Sequence, residues 1–274
     1  DLMKDIAIRA FSGLLYVLLL VFSLLNEHAL ILFFYVVGII CLAEFKKLIQ
    51  LKNFVPYVIF TIIYLFFGYG HLVLNRSQGL DEATLILQVI SIFVLLILIK
   101  DLFSEKTIPL FSSKRYILTT FYLSSAFVFL VLIGNYYSDS EKFNAIILLG
   151  SFILVWVNDT FAYLVGSNFG KQKLFPSISP KKTVEGFLGG LFFACIASSI
   201  IAHYTDTLSF TNWLILSIIV SVFGTIGDLV ESKFKRQANV KDSGVIMPGH
   251  GGLLDRFDSI IFAAPFIYLF LRIL

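Results

Sequence analysis

Charged side chains are concentrated in one eighteen-residue stretch of a sequence that is otherwise strongly apolar. The stretch KDSGVIMPGHGGLLDRFD, residues 241–258, contains three aspartates, two basic residues, one histidine and four glycines. Asp255 and Asp258 are three residues apart, so on a helix both carboxylates face the same side and can reach a single cation. This spacing favours a metal site.

A second acidic element precedes this stretch. In GDLVESKFKR, residues 227–236, a helix would carry four polar side chains on one face: Asp228, Glu231, Ser232 and Lys235. Acids at a helix start also suit the helix dipole, but that explanation accounts for one carboxylate and not for three beside a bilayer. Oxygen ligands without cysteine or several histidines suit Mg²⁺. We therefore predict that Asp228, Asp255 and Asp258 bind the metal.

Glycines between the two acidic elements could bring backbone amides close to an anion. The segment PGHGG, residues 248–252, lets the chain approach a ligand closely, and its amides would precede a helix N-terminus, where anions bind well. The same residues could instead form only a tight turn. His250 could likewise donate a hydrogen bond to a phosphate or simply occupy the turn.

Two further segments carry polar residues into or beside apolar runs. SPKKTVEGFLGG, residues 179–190, places Lys182 and Glu185 at the start of one run, where a lysine could also simply anchor to anionic headgroups. Asp159, beside Asn158, interrupts another run at a depth of about 10 Å, where an acid usually faces the bundle interior or a wet cavity. Metal-binding acids, bases and a glycine loop together are the groups that a site needs in order to bind a polyphosphate beside a lipid.

The elements that must position these residues are membrane-spanning helices. The chain has 274 residues, 58% of them hydrophobic and 14% charged, with a mean hydropathy of +0.90, far from the composition of soluble domains. The apolar runs are continuous rather than alternating, which favours an all-α bundle over a closed barrel. About 20 apolar residues cross the hydrocarbon, and nine runs are candidates: residues 8–25, 29–43, 54–74, 84–99, 116–135, 144–166, 185–203, 212–230 and 257–273.

Basic residues indicate how the nine runs are oriented. With the N-terminus in the cytoplasm, 18 of the 21 lysines and arginines lie on cytoplasmic segments, and the exceptions are Arg76, Lys142 and Arg272. The positive-inside rule therefore predicts nine spans, with the N-terminus inside and the C-terminus outside. We interpret the first run, which lacks a small-residue cleavage pattern, as a retained span rather than a secretory signal.

The distribution of polar residues divides the chain into two parts. Residues 1–143 are mostly apolar spans with plain loops, which we interpret as a transmembrane scaffold. Residues 144–274 hold nearly all the polar residues that enter or border spans, and we expect them to form the catalytic half, with its active site at the cytoplasmic leaflet. Cys41 and Cys195 lie inside predicted spans without metal-ligand spacing, so we interpret them as small apolar residues rather than as a disulfide or a zinc site. The bases are scattered among short loops, which argues against nucleic-acid binding.

Several segments resemble the phosphatidate cytidylyltransferases, also called CDP-diacylglycerol synthases. The resemblance covers residues 144–274 and is carried by SKFKR (232–236), KDSG (241–244), PGHGGLLDRFD (248–258), NDTFAYLVGSNFGK (158–171) and SPKKTVEGFLGG. Met247 stands where a branched aliphatic residue or phenylalanine is usual, a packing difference without chemical consequence.

This resemblance implies that CTP and phosphatidate react to give CDP-diacylglycerol and pyrophosphate, with Mg²⁺ and a monovalent cation such as K⁺. For that reaction we expect five catalytic residues: Asp228, Asp255, Asp258, Lys182 and Lys235. Contacts with phosphate or substrate are expected from Ser232, Arg236, Lys241, Asp242, His250, Gly251, Gly252, Arg256, Glu185, Glu231 and Asp159. Of these, Gly251 and Gly252 would offer their amides to a phosphate.

The expected setting is the bacterial inner (plasma) membrane, with the active site facing the cytoplasm and lipids as surroundings; a homodimer is left open. Two other classes of function remain. A CTP-dependent lipid kinase of the polyprenol type would give a different product, a new phosphate ester. A membrane transporter could use the acids as an ion path, but the acids lie at one leaflet, and no internal repeat is evident.

Overall fold

The computed structural model describes residues 2–73, 78–136, 143–249 and 251–274. Within these ranges the chain is almost entirely helical, with one short two-stranded sheet. The helices are α1 (Leu2–Ser23), α2 (Glu27–Leu48), α3 (Val55–Ile63), α4 (Gly70–Val73), α5 (Gln78–Leu102), α6 (Ser112–Ile117), α7 (Ser125–Gly134), α8 (Ile146–Phe169), α9 (Val184–Tyr204), α10 (Phe210–Gln237) and α11 (Leu254–Ile273). Two π-helical segments, Tyr64–Tyr69 and Leu118–Ser124, join α3 to α4 and α6 to α7.

Each of the nine predicted runs overlaps a helix. Six helical segments in the described ranges are long and apolar enough to cross a membrane: Glu27–Leu48, Gly79–Leu102, Ser112–Gly134, Ile146–Phe169, Val184–Tyr204 and Phe210–Gln237. An all-α membrane helix bundle is therefore confirmed. The count of nine spans and the orientation of the N-terminus stay predictions.

Helix α11 lies at the centre of the bundle. It packs against α10 on one side and α7 on another, and it is buried without a break from Phe257 to Ile267. Four aromatic rings, those of Tyr16, Phe34, Phe127 and Phe152, lie with their centroids within 6.4 Å of the Phe257 ring. The start of α11, which carries Asp255 in its first turn and Asp258 in its second, is therefore fixed by the packing around it.

A small antiparallel hairpin precedes α9. Strands β1 (Lys173–Phe175) and β2 (Ser179–Thr183) pair with Lys173 opposite Thr183. The side chain of Thr183 accepts a hydrogen bond from the amide of Gly186 at 3.1 Å and so caps α9. The segment SPKKT, which the sequence places only before the run 185–203, is a strand in the structure, and it fixes Lys182 one residue before the helix cap.

The loop between α10 and α11 folds back on itself at its glycines. Met247 and Gly251 exchange two backbone hydrogen bonds, at 3.0 and 3.1 Å. Gly249 and Gly251 have φ values of 76° and 89°, in the left-handed region that residues with a Cβ atom rarely adopt. These two glycines therefore make the tight turn possible.

Candidate active site

A lysine joins the two acidic helices. Nζ of Lys235, on α10, lies 2.6 Å from a carboxylate oxygen of Glu231, one turn earlier, and 2.6 Å from Oδ1 of Asp255, in the first turn of α11. Lys235 is 8% exposed and Glu231 is completely buried. Because charges are costly to bury unless they are paired, this lysine stabilises both acids and ties α10 to α11.

A second ion pair connects α10 to the hairpin. Nζ of Lys182, on β2, lies 2.5 Å from Oδ2 of Asp228, and the hydroxyl of Ser232 donates to Oδ1 of the same carboxylate at 3.3 Å. Asp228, Ser232 and Lys235 therefore share one face of α10, in agreement with the predicted stripe. The Lys182 side chain keeps 27% of its surface exposed, so a ligand can reach its ammonium group.

Asp255 also organises the loop that precedes it. Its Oδ2 accepts hydrogen bonds from the amide of Ser243 at 3.0 Å, the hydroxyl of Ser243 at 3.0 Å and the amide of Gly252 at 2.8 Å. Asp258, one turn later, is 7% exposed and accepts the amide of Ser259 at 2.6 Å. In the described part of the chain, Asp258 takes no part in the ion pairs that hold Asp228 and Asp255.

The loop between α10 and α11 encloses a cavity of about 600 Å³, within the range of small-molecule sites, roughly 300–1,000 Å³. Its wall lies beside Asp255, because a Cβ atom added at Gly251 would lie 3.0 Å from Oδ2 of that residue. Lys241 and Arg256 give the wall positive charge. The lining residues are Lys241, Asp242, Gly244, Val245, Met247, Pro248, Gly249, Gly251 and Arg256.

The amides of the predicted phosphate loop are engaged within the protein. The amide of Gly252 donates to Asp255, and that of Gly251 donates to the carbonyl of Met247. A phosphate would have to replace these acceptors, so phosphate binding by the two amides stays a prediction. His250 lies outside the described residues.

Three other predicted site residues have local partners. Arg236 donates to the carbonyls of Ile178 and Val240 at 3.3 and 3.2 Å, so it braces the hairpin and the loop. The Glu185 carboxylate accepts the amides of Lys171 and Gln172 at 3.0 to 3.2 Å and so holds the turn before β1. Asp159 accepts from the amide group of Asn158 at 3.3 Å. That amide group also lies 3.5 Å from the hydroxyl of Thr225, one turn before Asp228.

The structure adds an acid that the sequence reasoning missed. Glu44, on α2, is 2% exposed. Its carboxylate accepts the amides of Leu253 and Leu254 at 3.1 and 2.8 Å and the hydroxyl of Ser243 at 3.2 Å. Glu44 directly follows the predicted span 29–43 and so resembled an ordinary interfacial charge. A single acid beside an apolar run was the only available signal.

The donor chemistry of the site suits a hard cation. The site holds five buried or half-buried carboxylates, and among the described residues ion pairs join three of them to Lys182 and Lys235: Glu44, Asp228, Glu231, Asp255 and Asp258 are the acids, of which Asp228, Glu231 and Asp255 are paired. Both carboxylate oxygens of Glu231 are buried with no hydrogen-bond partner in the described ranges, although Oε2 lies in ion-pair contact with Lys235. No group of three His, Cys, Asp or Glu side chains is gathered closely enough there to hold a metal. The oxygen donors therefore fit Mg²⁺ in type, while the lysines occupy the space between them.

The fold and the site define a membrane-embedded helix bundle with a charged cavity where two of its helices meet. The chain belongs to the cytidylyltransferase family, whose model matches residues 6–274. It is 32% identical over 276 residues to a phosphatidate cytidylyltransferase of Bacillus subtilis (strain 168), covering 99% of both chains. It is 35% identical over 250 residues to one of Staphylococcus haemolyticus (strain JCSC1435), covering 90% of this chain and 92% of the relative.

A shorter and stronger similarity links the chain to Staphylococcus aureus (strain COL). The relative there, also named phosphatidate cytidylyltransferase, is 47% identical over 151 residues, which are 54% of this chain. The matched part spans 57% of the length of that relative.

Proposed function

We propose that this protein is a phosphatidate cytidylyltransferase, which transfers the cytidylyl group of CTP to phosphatidate. One observation carries the proposal: a cavity of about 600 Å³ has Lys241 and Arg256 on its wall, and its wall at Gly251 lies beside Asp255, the acid paired with Lys235. The family and the names of the relatives support the same reaction. Bases beside oxygen ligands are what a polyphosphate substrate requires.

In this reaction an oxygen of the phosphatidate phosphate forms a bond to the α-phosphorus of CTP. The bond from that phosphorus to the oxygen shared with the β-phosphate breaks, and pyrophosphate leaves. A phosphate monoester has a second pKa of about 6, so the nucleophile is already largely an oxyanion at pH 7. The protein therefore needs no strong general base, and its main task is to bring anions together.

The two paired lysines are suited to that task. An ammonium group has three hydrogens to donate. Lys182 donates one of them to Asp228 and Lys235 donates one to Asp255, while the Lys235 ammonium also lies in ion-pair contact with Glu231. Each lysine therefore retains at least one hydrogen for a phosphate oxygen, while its carboxylate partners fix where the ammonium group lies. Such fixed positive charges stabilise the charge that develops on the transferred phosphoryl group.

Mg²⁺ is proposed as the cofactor, held by Asp228, Asp255 and Asp258, and a monovalent cation such as K⁺ could accompany it. The metal would neutralise phosphate charge. The surplus of carboxylates over lysines supports this assignment, because a carboxylate near a bilayer is costly without a counter-charge.

The proposal extends to the arrangement in the membrane. We propose nine spans with the N-terminus in the cytoplasm, and an active site that faces the cytoplasm of a bacterial cell, where CTP is made. The bias of basic residues supports this orientation. Three further points stay predictions: that residues 1–143 form a scaffold, that residues 144–274 form the catalytic half, and that the protein is a homodimer.

The test is direct. Purified protein is incubated with α-labelled CTP, Mg²⁺ and phosphatidate, and the lipid product is identified. CDP-diacylglycerol that carries the label, with release of one pyrophosphate per product, is expected. A polyprenol phosphate formed from CTP and a polyprenol, without any label from the α-phosphate, would identify a lipid kinase instead. No lipid product with either acceptor, together with cation flux in sealed vesicles, would favour a transporter.

A further inference from the structure

Glu44 is a buried acid whose side-chain hydrogen bonds, within the described residues, come from the loop between α10 and α11 and from the first residue of α11. It belongs to α2, in the half of the chain that we interpreted as scaffold, and is separated from its partners Leu253 and Leu254 by 209 and 210 residues. It forms no ion pair within the described ranges. The buried carboxylate is therefore stabilised by hydrogen bonds from the loop rather than by a basic side chain.

The start of α11 depends on this contact. The first amides of a helix have no partner within the helix, and a neighbouring Ser, Thr, Asp or Asn normally accepts them. The residue at the cap position of α11 is Leu253, whose side chain cannot accept a hydrogen bond. Glu44 supplies the missing acceptor, because its two oxygens take the amides of Leu253 and Leu254 at 3.1 and 2.8 Å.

The loop is also shaped around the Glu44 carboxylate. A Cβ atom added at Gly244 would lie 2.2 Å from Oε1 of Glu44, and one added at Gly252 would lie 2.7 Å from Oε2. Neither distance is possible for a real side chain. The two glycines therefore let the loop close over the acid, and Gly244 lies on the wall of the cavity.

A hydroxyl connects Glu44 to the proposed catalytic carboxylate. The oxygen of Ser243 lies 3.2 Å from Oε2 of Glu44 and 3.0 Å from Oδ2 of Asp255. Ser243 has one hydroxyl hydrogen and can donate it fully to only one of the two acids. Its backbone amide also donates to Asp255, so a shift of the loop away from Glu44 would move two hydrogen-bond donors of Asp255.

We propose that Glu44 is a positioning residue: it holds residues 243–244 and 252–254 against α2, and thereby sets the shape of the cavity and the place of Asp255. It acts from the N-terminal half of the chain without lining the cavity. This inference rests on the proposed function for its effect on CTP, but its effect on the loop stands independently of any activity.

The test compares the full-length protein with Glu44→Gln, which keeps the size of the side chain but replaces one acceptor oxygen by a donor. Glu27→Gln, at the other end of the same helix, is the matched control. Two quantities are measured: amide hydrogen exchange across residues 241–254, and KM for CTP. For Glu44→Gln we expect at least tenfold faster exchange in the loop and a KM at least fivefold higher. A loss of folded protein alone would lower kcat and leave KM unchanged.

A second variant approaches the contact from the other side. Gly244→Ala leaves Glu44 in place but pushes a methyl group against its carboxylate, and we expect the same two changes. It keeps the proposal testable if Glu44→Gln fails to fold. Unchanged loop exchange, or an unchanged KM for CTP, in the variants that fold would overturn the proposal. If the wild-type protein forms no CDP-diacylglycerol, the proposed function fails, and loop exchange still decides whether Glu44 holds the loop.

Discussion

Lys235 should be needed both for stability and for turnover, and a second substitution can separate the two roles. In Lys235→Met the aliphatic stem remains, while Glu231 and Asp255 lose the cation that lies 2.6 Å from each. Breaking a buried ion pair costs about 3–5 kcal/mol, because the remaining charge stays buried. Asp255 keeps its hydrogen bonds from Ser243 and Gly252, so we expect the lower value, about 3 kcal/mol.

The main cost should come from Glu231, which is completely buried. Adding Glu231→Gln to Lys235→Met removes that charge without changing the size of the side chain, and replacing both charges of a buried pair is often close to neutral. We therefore expect the double variant to recover about 1–2 kcal/mol of the free energy of unfolding. Activity should not return, because the ammonium group proposed to face the phosphates is still absent.

Thermal unfolding in detergent and the rate of CDP-diacylglycerol formation measure the two effects. With about 2–4 °C per kcal/mol for a chain of roughly this size, Lys235→Met should lower Tm by about 6–12 °C. Lys47→Met, at an exposed lysine of α2, should change stability by less than about 0.5 kcal/mol. If the double variant is no more stable than Lys235→Met, the electrostatic reasoning is wrong. If activity returns together with stability, Lys235 has only a structural role.

Three further predictions test the metal, the second lysine and the orientation. Asp258→Asn should abolish turnover and leave Tm unchanged or higher. The amide keeps the shape of the carboxylate, which has no ion pair among the described residues, so no stabilising pair is lost. Normal activity of this variant at limiting Mg²⁺ would show that Asp258 is not a metal ligand. Lys182→Arg should lower kcat/KM at least tenfold, about 1.4 kcal/mol, because a planar guanidinium does not reproduce the ammonium beside Asp228. The control Lys181→Arg, at the exposed neighbouring lysine, should change kcat/KM little. Equal effects of the two substitutions would mean that both lysines only anchor the protein to lipid headgroups. In intact cells a membrane-impermeant thiol reagent should label Asp206→Cys but reach Val245→Cys only after lysis; labelling of Val245→Cys from outside would reverse the proposed topology.

Local sequence patterns predicted the positions of the helices better than they predicted which side chains contact one another. The apolar runs located helices in all nine places, because hydrophobic continuity depends only on neighbouring residues. The spacing of Asp228, Ser232 and Lys235 gave their common face, because helix geometry fixes it. The contact of Lys235 with Glu231 follows from the same geometry, since the two residues are four apart.

Contacts between distant segments could not be obtained in this way. The sequence did not indicate that Lys182 would bind Asp228, 46 residues away, or that Glu44 would reach the α11 start. The hairpin was also missed, because a strand of five residues containing Pro180 has little pattern of its own. These features depend on how the helices pack, and one sequence carries no direct record of that packing.

The excess of carboxylates in the site has a consequence for which form of CTP can bind. A free nucleoside triphosphate carries negative charge, as do Asp228, Asp255 and Asp258. The two lysines are already partly neutralised by the acids with which they are paired. Repulsion between like charges is strong where water is excluded. We therefore expect the carboxylates to discriminate against the free anion and to favour a nucleotide that arrives with cations. The lysine pairs reduce repulsion between the acids in the structure. If the proposed metal site is correct, the same contacts that stabilise the protein would also prepare it for a metal-bound substrate.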